Sequence, residues 1–535
     1  MAEVKNPILS GFYPDPSICS VLKRNEKGEA VEADCYLVNS TFAYVPGVPV
    51  FHSRDLCNWK QIGHVLERKE QLKVDGIGIS RGIYAPTIRY HKGIFYMITT
   101  NVSAGGNFYV TAENPAGPWS DPILLADAQG IDPSLFFEGD KCYYIGQRTK
   151  ADAKYNGDCE IWLQELDLEQ KKLVGDVYVL WDGAMKHAIW PEGPHLYKRG
   201  DYYYVMIAEG GTAESHSICV ARSKVITGPY EPCPNNPIFS HRHMGRTAKI
   251  QAVGHGDLVE MPGDKWYVVM LATRPLEGYA PLGRETFLAE VAWENDWPVI
   301  NPGEGRLRDV QQVVTDDGQD AFARDAEATK TDCVKWTKPL DMRCLTYGWP
   351  AEDMYKIAED GSGDILLKVS DASFAKKESP SFICIRATAP VFSVETKMQF
   401  APKVGQEAGL VYLFDENNYI KFTLYGKTET EKVLRVVSVI CSEETLIKEM
   451  PVEELSAEKE QKTAGHKVDL RLCLDGLRLT CEADGTQIGM TDVRKLTSEA
   501  VEGGFVGCTM GIYAAGDDKK ADNYACFSEL HICKE

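Results

Sequence analysis

The sequence predicts an all-β protein, a five-bladed β-propeller followed by a C-terminal, lectin-like β-sandwich. Three observations lead to this expectation. A phrase made of a short apolar strand, a glycine turn and an aromatic-rich strand recurs along the first 305 residues. Helical periodicity is nearly absent there. From residue 331 onward, short alternating strands follow one another at close spacing. At 535 residues the chain is too long for one ordinary hydrophobic core. The divisions expected are a propeller over 1–305, a linker over 306–330 and an accessory sandwich over 331–535.

The recurring phrase reads "APTIRYHKGIFYMITT" (85–100), "DPSLFFEGDKCYYIG" (132–146), "GPHLYKRGDYYYVMI" (193–207) and "HGDLVEMPGDKWYVVML" (255–271), with Gly93, Gly139, Gly200 and Gly263 in the turns of successive hairpins. A fifth copy opens the chain with "DPSI" (15–18). A charged loop over 24–34 interrupts it, and its second strand is expected at "DCYLVNSTF" (34–42). The aligned positions are 16, 86, 133, 194 and 256, giving steps of 70, 47, 61 and 62 residues. Such steps suit four-stranded sheets with loops, arranged radially as blades. "FHSRDLCNWKQIG" (51–63), "VTAENPAGPWSDPILL" (110–125) and "CVARSKVITGPYEPCPNNPIF" (219–239) fit the outer strands. Residues 306–330 are polar and acidic, as a linker would be. Beyond them "DILLKVS", "FSVETKMQF", "GLVYLFD", "YIKFTLYG", "VLRVVSVI", "KVDLRLCLD" and "LRLTCEADG" have the spacing of sandwich strands.

In a propeller the innermost strands line a central channel, so residues at their starts converge from distant parts of the sequence. The positions just before each aligned residue are Asp15, Ala85, Asp132, Gly193 and His255, with Glu192 one step earlier in the fourth copy. Three carboxylates and a histidine are thus expected to face one cavity. Two carboxylates flanking a glycosidic bond can cleave it as general acid and general base. Crowding raises the pKa of at least one of them, and a third acid can tune that value. The same cluster could instead ligate a cation such as Ca²⁺, or the Asp-Pro pairs could simply cap turns.

Composition narrows the partners. A net charge of −20 argues against nucleic acid and anionic membrane, and no run approaches the 18 apolar residues of a spanning segment. The sixteen cysteines show no Cys-x-x-Cys pair, and the opening "MAEVKNPILSGFYPDP" has no apolar export core. Reduced thiols and a cytoplasmic location are therefore expected. "GIGISRG" (76–82) does not match a nucleotide loop, and no Gly-x-Ser-x-Gly or His-Glu-x-x-His phrase is present.

"NPILSGFYPDPSI", "STFAYVPGVPVFHSRDLCNW", "GIYAPTIRYHKGIFYMITTNV", "GIDPSLFF", "WPEGPHLYKRGDYYYVMIAEGGT" and "PLGRETFL", in that order across residues 5–305, resemble glycoside hydrolase family 43. The likeness is to its two-domain β-xylosidase/α-L-arabinofuranosidase members. The resemblance implies an inverting five-bladed propeller in which Asp15 is the general base, Glu192 the general acid and Asp132 the pKa modulator. It also implies a carboxyl separation for Asp15 and Glu192 of about 6.5–9.5 Å, leaving room for a water. Arg284 in "LGRETF" is implied as the active-site arginine, Phe42 and Tyr84 as walls of the sugar site, and Trp190 as a sugar platform or plain packing. His255 is implied as a channel histidine that contacts sugar or accompanies a structural Ca²⁺. No cofactor is required for the chemistry. In related enzymes a loop from the sandwich closes the pocket. Here the matching stretch is "GGFVGCTMG" (503–511), with the family's aromatic falling at or near Thr509. The implied partner is a small oligosaccharide derived from hemicellulose, shortened one terminal xylose or arabinofuranose at a time, and homo-oligomers would suit the family. Two alternatives are weighed against this. A non-catalytic sugar-binding propeller should lack one of the acids. A retaining five-bladed hydrolase of the fructan-cleaving type should carry Asn-Asp-Pro-Asn-Gly near its start, which this sequence does not.

Overall fold

Alternating apolar residues on short strands, with glycine at the hairpin turns, leave each sheet one way to bury its faces, which is against its neighbours. The computed structural model describes residues 2–313, 330–455, 465–517 and 522–535, and among these there is no α-helix. The first part of the chain forms five four-stranded antiparallel sheets, built from strands consecutive in sequence except that Tyr44–Val45 drops out of the first. Their innermost strands are Ser17–Arg24, Thr87–His91, Ile131–Glu138, Glu192–Arg199 and Gln251–Met261. These five contact one another in cyclic order, the fifth returning to the first, so the blades close into a ring. The N-terminus seals the closure. Leu9 bridges to Thr286 in the fifth blade, and the Asn6 amide donates to the Leu288 and Arg308 carbonyls at 2.9 Å each.

Two expectations change in detail. In the first blade the second strand is Ala30–Val38, so the charged segment read as a loop is mostly ladder and only 25–29 turn. The hairpin tip projects into solvent, where a strand needs no apolar face, and Lys23 pairs with Glu32 across it at 2.7 Å. Phe42, expected at the end of that strand, instead lies beyond it with a left-handed φ of 53°. Likewise the segment read as the start of the linker is partly strand. Val310–Val313 pairs with Ala2–Lys5, extending the propeller past residue 305. The stretch 314–329 of the expected linker lies outside the described residues.

The C-terminal part packs a six-stranded sheet, centred on Glu407–Asp415 and Asn418–Gly426, against a nine-stranded sheet carrying Val391–Phe400 and His466–Asp475. One hydrophobic core runs without interruption from the first two blades (Phe12, Tyr44, Ile83) into the sandwich (Phe382, Leu410, Met510). A short ladder even crosses the boundary, pairing Thr346–Tyr347 with Tyr44–Val45. The Arg386 guanidinium donates to the Phe12 carbonyl at 2.8 Å and lies over the Phe12 and Tyr13 rings. All sixteen cysteines are free thiols.

Candidate active site

The repeated sequence position becomes a repeated backbone device. Asp15, Asp132, Gly193 and His255 all have left-handed φ values, of 50°, 53°, 57° and 48°. In blades three, four and five the inner ladder shifts register beside this residue, between Ile131 and Ser134, Glu192 and His195, and Gly254 and Gly256. A bulge re-aims a side chain that would otherwise follow the pleat. Backbone outside the common regions at non-glycine residues is the kind of strain that collects at functional sites. Gly193 has a local steric reason as well. A Cβ there would sit 2.9 Å from the His255 ring, so the absent side chain lets the imidazole lie against the acid-bearing strand.

Asp15, Asp132 and His255 are buried together, and Glu192 opens its strand beside them with partial exposure. Asp15 accepts hydrogen bonds from the Arg284 guanidinium, Nη1 to Oδ1 at 2.7 Å, and from the Ser40 hydroxyl. Its main chain is clamped by Asn39, whose amide donates to the Tyr13 and Pro14 carbonyls at 3.0 Å each. Asp132 Oδ2 accepts the Gly193 N–H at 3.1 Å, tying it to the residue that follows Glu192.

The carboxyls are held in opposite electrical states. Burial pushes Asp15 up, but Arg284, then His255 and the Ser40 hydrogen bond, outweigh it, and Asp15 lies below the ordinary carboxylate range. Enclosure raises Glu192 well above its ordinary value, and the nearby Asp132 and Asp15 charges raise it further. Asp132 is lifted to about 6, by burial first and with Asp15 adding to it against the pull of His255. A carboxyl biased toward its charged form and one biased toward its neutral form therefore share one channel.

Phe42, Tyr84 and Arg284 meet beside Asp15, with Phe42 and Tyr84 edge to face at 5.6 Å between centroids. The aromatic that the sandwich contributes is Phe505, not a residue at Thr509, which is buried in strand Thr509–Ala515. Phe505 stacks on Phe42 at 6.4 Å and meets Tyr84 edge-on at 6.0 Å. Its carbonyl accepts from Arg284 Nη2 at 3.0 Å, so one guanidinium joins the Asp15 carboxylate to the sandwich loop. Trp190 lies two residues before Glu192, half-buried, against Gly157 and Gly211. Ser40, Asn39 and Phe505 were not singled out from the sequence. The first two sit on a loop without a distinctive pattern, and Phe505 is one apolar residue in a glycine-rich stretch.

The channel floor is a second layer one residue pair deeper. Ser17, Ser134, His195 and Asp257 each lie two residues beyond the site-layer position of their strand. Asp257, fully buried, accepts from Ser17 Oγ at 2.7 Å, Tyr197 Oη at 2.6 Å and both terminal nitrogens of Arg89 at 2.7 and 3.0 Å. His195 Nδ1 lies 2.9 Å from Arg89 Nη2 and 3.1 Å from Ser134 Oγ. All five blades thus meet in one network. Despite burial, Arg89 leads the interactions that depress Asp257 to about 2, while burial drives His195 down to about 3 and keeps it neutral.

Calcium takes six to eight oxygen ligands. Among the described residues no three His, Cys, Asp or Glu side chains are grouped to hold a metal ion, so the side chains around His255 do not themselves form such a cage.

The sequence profile of Glycosyl hydrolases family 43 matches residues 4–298, and that of the beta xylosidase C-terminal concanavalin A-like domain matches 336–532. A xylosidase/arabinosidase of Butyrivibrio fibrisolvens is 44% identical, the match covering 99% of both chains. A non-reducing-end α-L-arabinofuranosidase of Bacteroides ovatus is 36% identical over 98% of this chain and 93% of that protein. Among solved structures, a xylan β-1,4-xylosidase from Bacillus halodurans superposes with a TM-score of 0.86 at 30% identity, covering 99% of this chain and 100% of the other.

Proposed function

The chain belongs to glycosyl hydrolase family 43, and from that membership we propose that it is an inverting exo-glycosidase releasing terminal xylose or arabinofuranose from short hemicellulose-derived oligosaccharides. The observation that carries the reading is the opposite polarisation of Asp15 and Glu192 within one channel. Asp15, ionised and anchored by Arg284, takes a proton from a water as the water oxygen attacks the anomeric carbon. Glu192, protonated, gives its proton to the glycosidic oxygen as the bond to the leaving group breaks. Asp132 keeps the Glu192 pKa high by charge repulsion and is itself aimed by the Gly193 N–H. Arg284 holds the base ionised, and Phe42, Tyr84 and Phe505 wall the terminal sugar. His255 lies against Gly193 and close to Asp15 and Asp132. Relatives named for xylosidase and for arabinofuranosidase activity support an enzyme that accepts both sugars. No cofactor is proposed for the proton transfers themselves; if a structural Ca²⁺ sits beside His255, activity should fall on chelation and return with Ca²⁺, and no response to a chelator would leave His255 as a packing or sugar-contact residue.

The test is kcat/KM on nitrophenyl β-D-xylopyranoside and nitrophenyl α-L-arabinofuranoside, with the first-formed anomer followed by proton NMR. Hydrolysis of either with inversion supports the proposal. Retention would transfer the site to a covalent mechanism, and activity on neither would withdraw the substrate class.

A further inference from the structure

The phrase "GIGISRG" (76–82), which matches no nucleotide loop, lies in the connection between strand Lys60–Leu66 of the first blade and strand Thr87–His91 of the second. Apart from isolated bridges at Ile83, this connection belongs to no sheet. Backbone without a ladder takes its shape from whatever else pairs its polar groups. Here the sandwich supplies three of the partners. Trp349 Nε1 donates to the Leu72 carbonyl at 2.6 Å, Tyr347 Oη donates to the Ile77 carbonyl, and Glu416 Oε2 accepts the Ile79 N–H at 2.8 Å. Gly78 admits Glu416, because a Cβ there would lie 2.4 Å from Oε1.

Glu416 is out of place for its position in its own sheet. It stands in the turn between Glu407–Asp415 and Asn418–Gly426, where a charged residue ordinarily reaches water, yet it is only 8% exposed. A carboxylate leaves water only where hydrogen bonds or counter-charges receive it. The Lys377 ammonium is 4.0 Å away, and the Ile79 hydrogen bond comes from the propeller. The turn thus reaches across the boundary to hold a propeller loop.

One residue further on, Ser80 meets two walls of the sugar site. Its hydroxyl accepts the Phe505 N–H at 3.0 Å, and its carbonyl accepts the Tyr84 hydroxyl at 3.4 Å. The third wall is tied to the same segment. Ile83 and Phe42 exchange N–H···O bonds at 3.0 and 2.9 Å, and a Cβ on Gly82 would come 2.5 Å from the Phe42 carbonyl oxygen. Phe42, Tyr84 and Phe505 are therefore all referred to one short loop, which the sandwich holds at Glu416.

We propose that Glu416 and Ser80 are positioning residues that fix the spacing of the Phe42, Tyr84 and Phe505 walls and so set the fit of the terminal sugar. This rests on the glycosidase reading above. A wall presses on the sugar in ground state and transition state alike. Loosening it removes uniform binding, which raises KM and leaves kcat in place.

The test measures KM and kcat on nitrophenyl β-D-xylopyranoside. For Ser80→Ala we expect KM to rise about threefold or more, as a weakened aromatic contact implies. Its kcat should stay within about twofold. Ser80→Thr keeps the acceptor oxygen and should return KM toward the wild type. Glu416→Ala should raise KM in the same way, and Glu416→Gln, which retains an oxygen for the Ile79 N–H, should recover most of the loss. Gly78→Ala pushes Glu416 off the loop and tests the same contact should Glu416→Ala not fold. In a Phe505→Ala background Ser80→Ala should add no further rise, because its hydroxyl acts through the Phe505 N–H. Equal rises in both backgrounds would overturn the role of Ser80, and unchanged KM in Glu416→Ala or Gly78→Ala would overturn that of Glu416. A loss carried by kcat rather than KM would overturn both. A wild type that hydrolyses neither this substrate nor nitrophenyl α-L-arabinofuranoside would overturn the glycosidase reading itself, a pattern distinct from any variant result.

Discussion

Asp15 and Glu192 are carboxylic acids in the same channel, yet burial is overridden at one and reinforced at the other. The difference lies in one arginine. Arg284 touches Asp15 at 2.7 Å, whereas Glu192 has two carboxylates as its leading electrostatic neighbours. In Arg284→Met, Asp15 should lose its main counter-charge and rise, so the acid limb of the kcat/KM profile moves to higher pH. An unmoved limb would mean that Asp15 is not the group titrating there. In Asp132→Asn, Glu192 loses the larger of its like-charge neighbours and falls, so the alkaline limb moves to lower pH. Glu192→Ala should lose far more rate on a poor leaving group than on nitrophenolate, because only the former needs the proton. Stability carries its own signature. A group whose folded pKa is raised binds its proton more tightly in the native state, so stability declines as pH rises from the unfolded value toward the folded one. Asp132, lifted to about 6, therefore weakens the native state through that window. Asp132→Asn should raise the melting temperature at pH 7 while lowering activity, and an unchanged or lower melting temperature would count against crowding as the cause.

Four of the five inner strands work on two levels: the position at the mouth is Asp15, Asp132, Glu192–Gly193 or His255, and the residue two further on enters the network around Asp257, which the second blade joins through Arg89. The two levels depend on each other, because a left-handed residue in a bulged ladder keeps its aim only where the strand beyond it is held. Asp257→Ala leaves Arg89 charged and enclosed without its partner, a change that typically costs about 3–5 kcal/mol. Equilibrium urea unfolding should show that loss, and one below about 1 kcal/mol would argue that the network is not a structural hub. The depressed Asp257 adds stability that is complete above its unfolded value and disappears as pH falls toward about 2. The first level was readable beforehand, since Asp-Pro-Ser occurs twice and Glu-Gly-Pro stands at the matching place. The second was not. Ser17, Ser134 and His195 are ordinary residues whose partners come from other blades, and no local spacing announces a ring closed by five strands.

Propeller and sandwich share one core, a cross-boundary ladder and a guanidinium that touches both Asp15 and Phe505. The two parts should unfold together, and calorimetry should show one transition; two separated transitions would contradict the shared core. The close approach near the site depends on Gly507, where a Cβ would come within 2.3 Å of the Leu282 carbonyl oxygen. Gly507→Ala should push the loop outward, withdraw Phe505 and raise KM, as Phe505→Ala should with less loss of stability. Equal stability losses would mean that Phe505 serves packing more than substrate.

The sequence by itself determined the strand repeat, the two-part all-β architecture and the three acids, because each is written locally in glycine turns, alternating residues and short phrases. Only the tertiary structure decided which carboxyl is pulled toward its charged form and which toward its neutral form, and that Phe505 rather than a residue near Thr509 reaches the site. Those outcomes depend on distances between groups far apart in the chain, and electrostatic energy and close packing follow distance in space rather than separation in sequence.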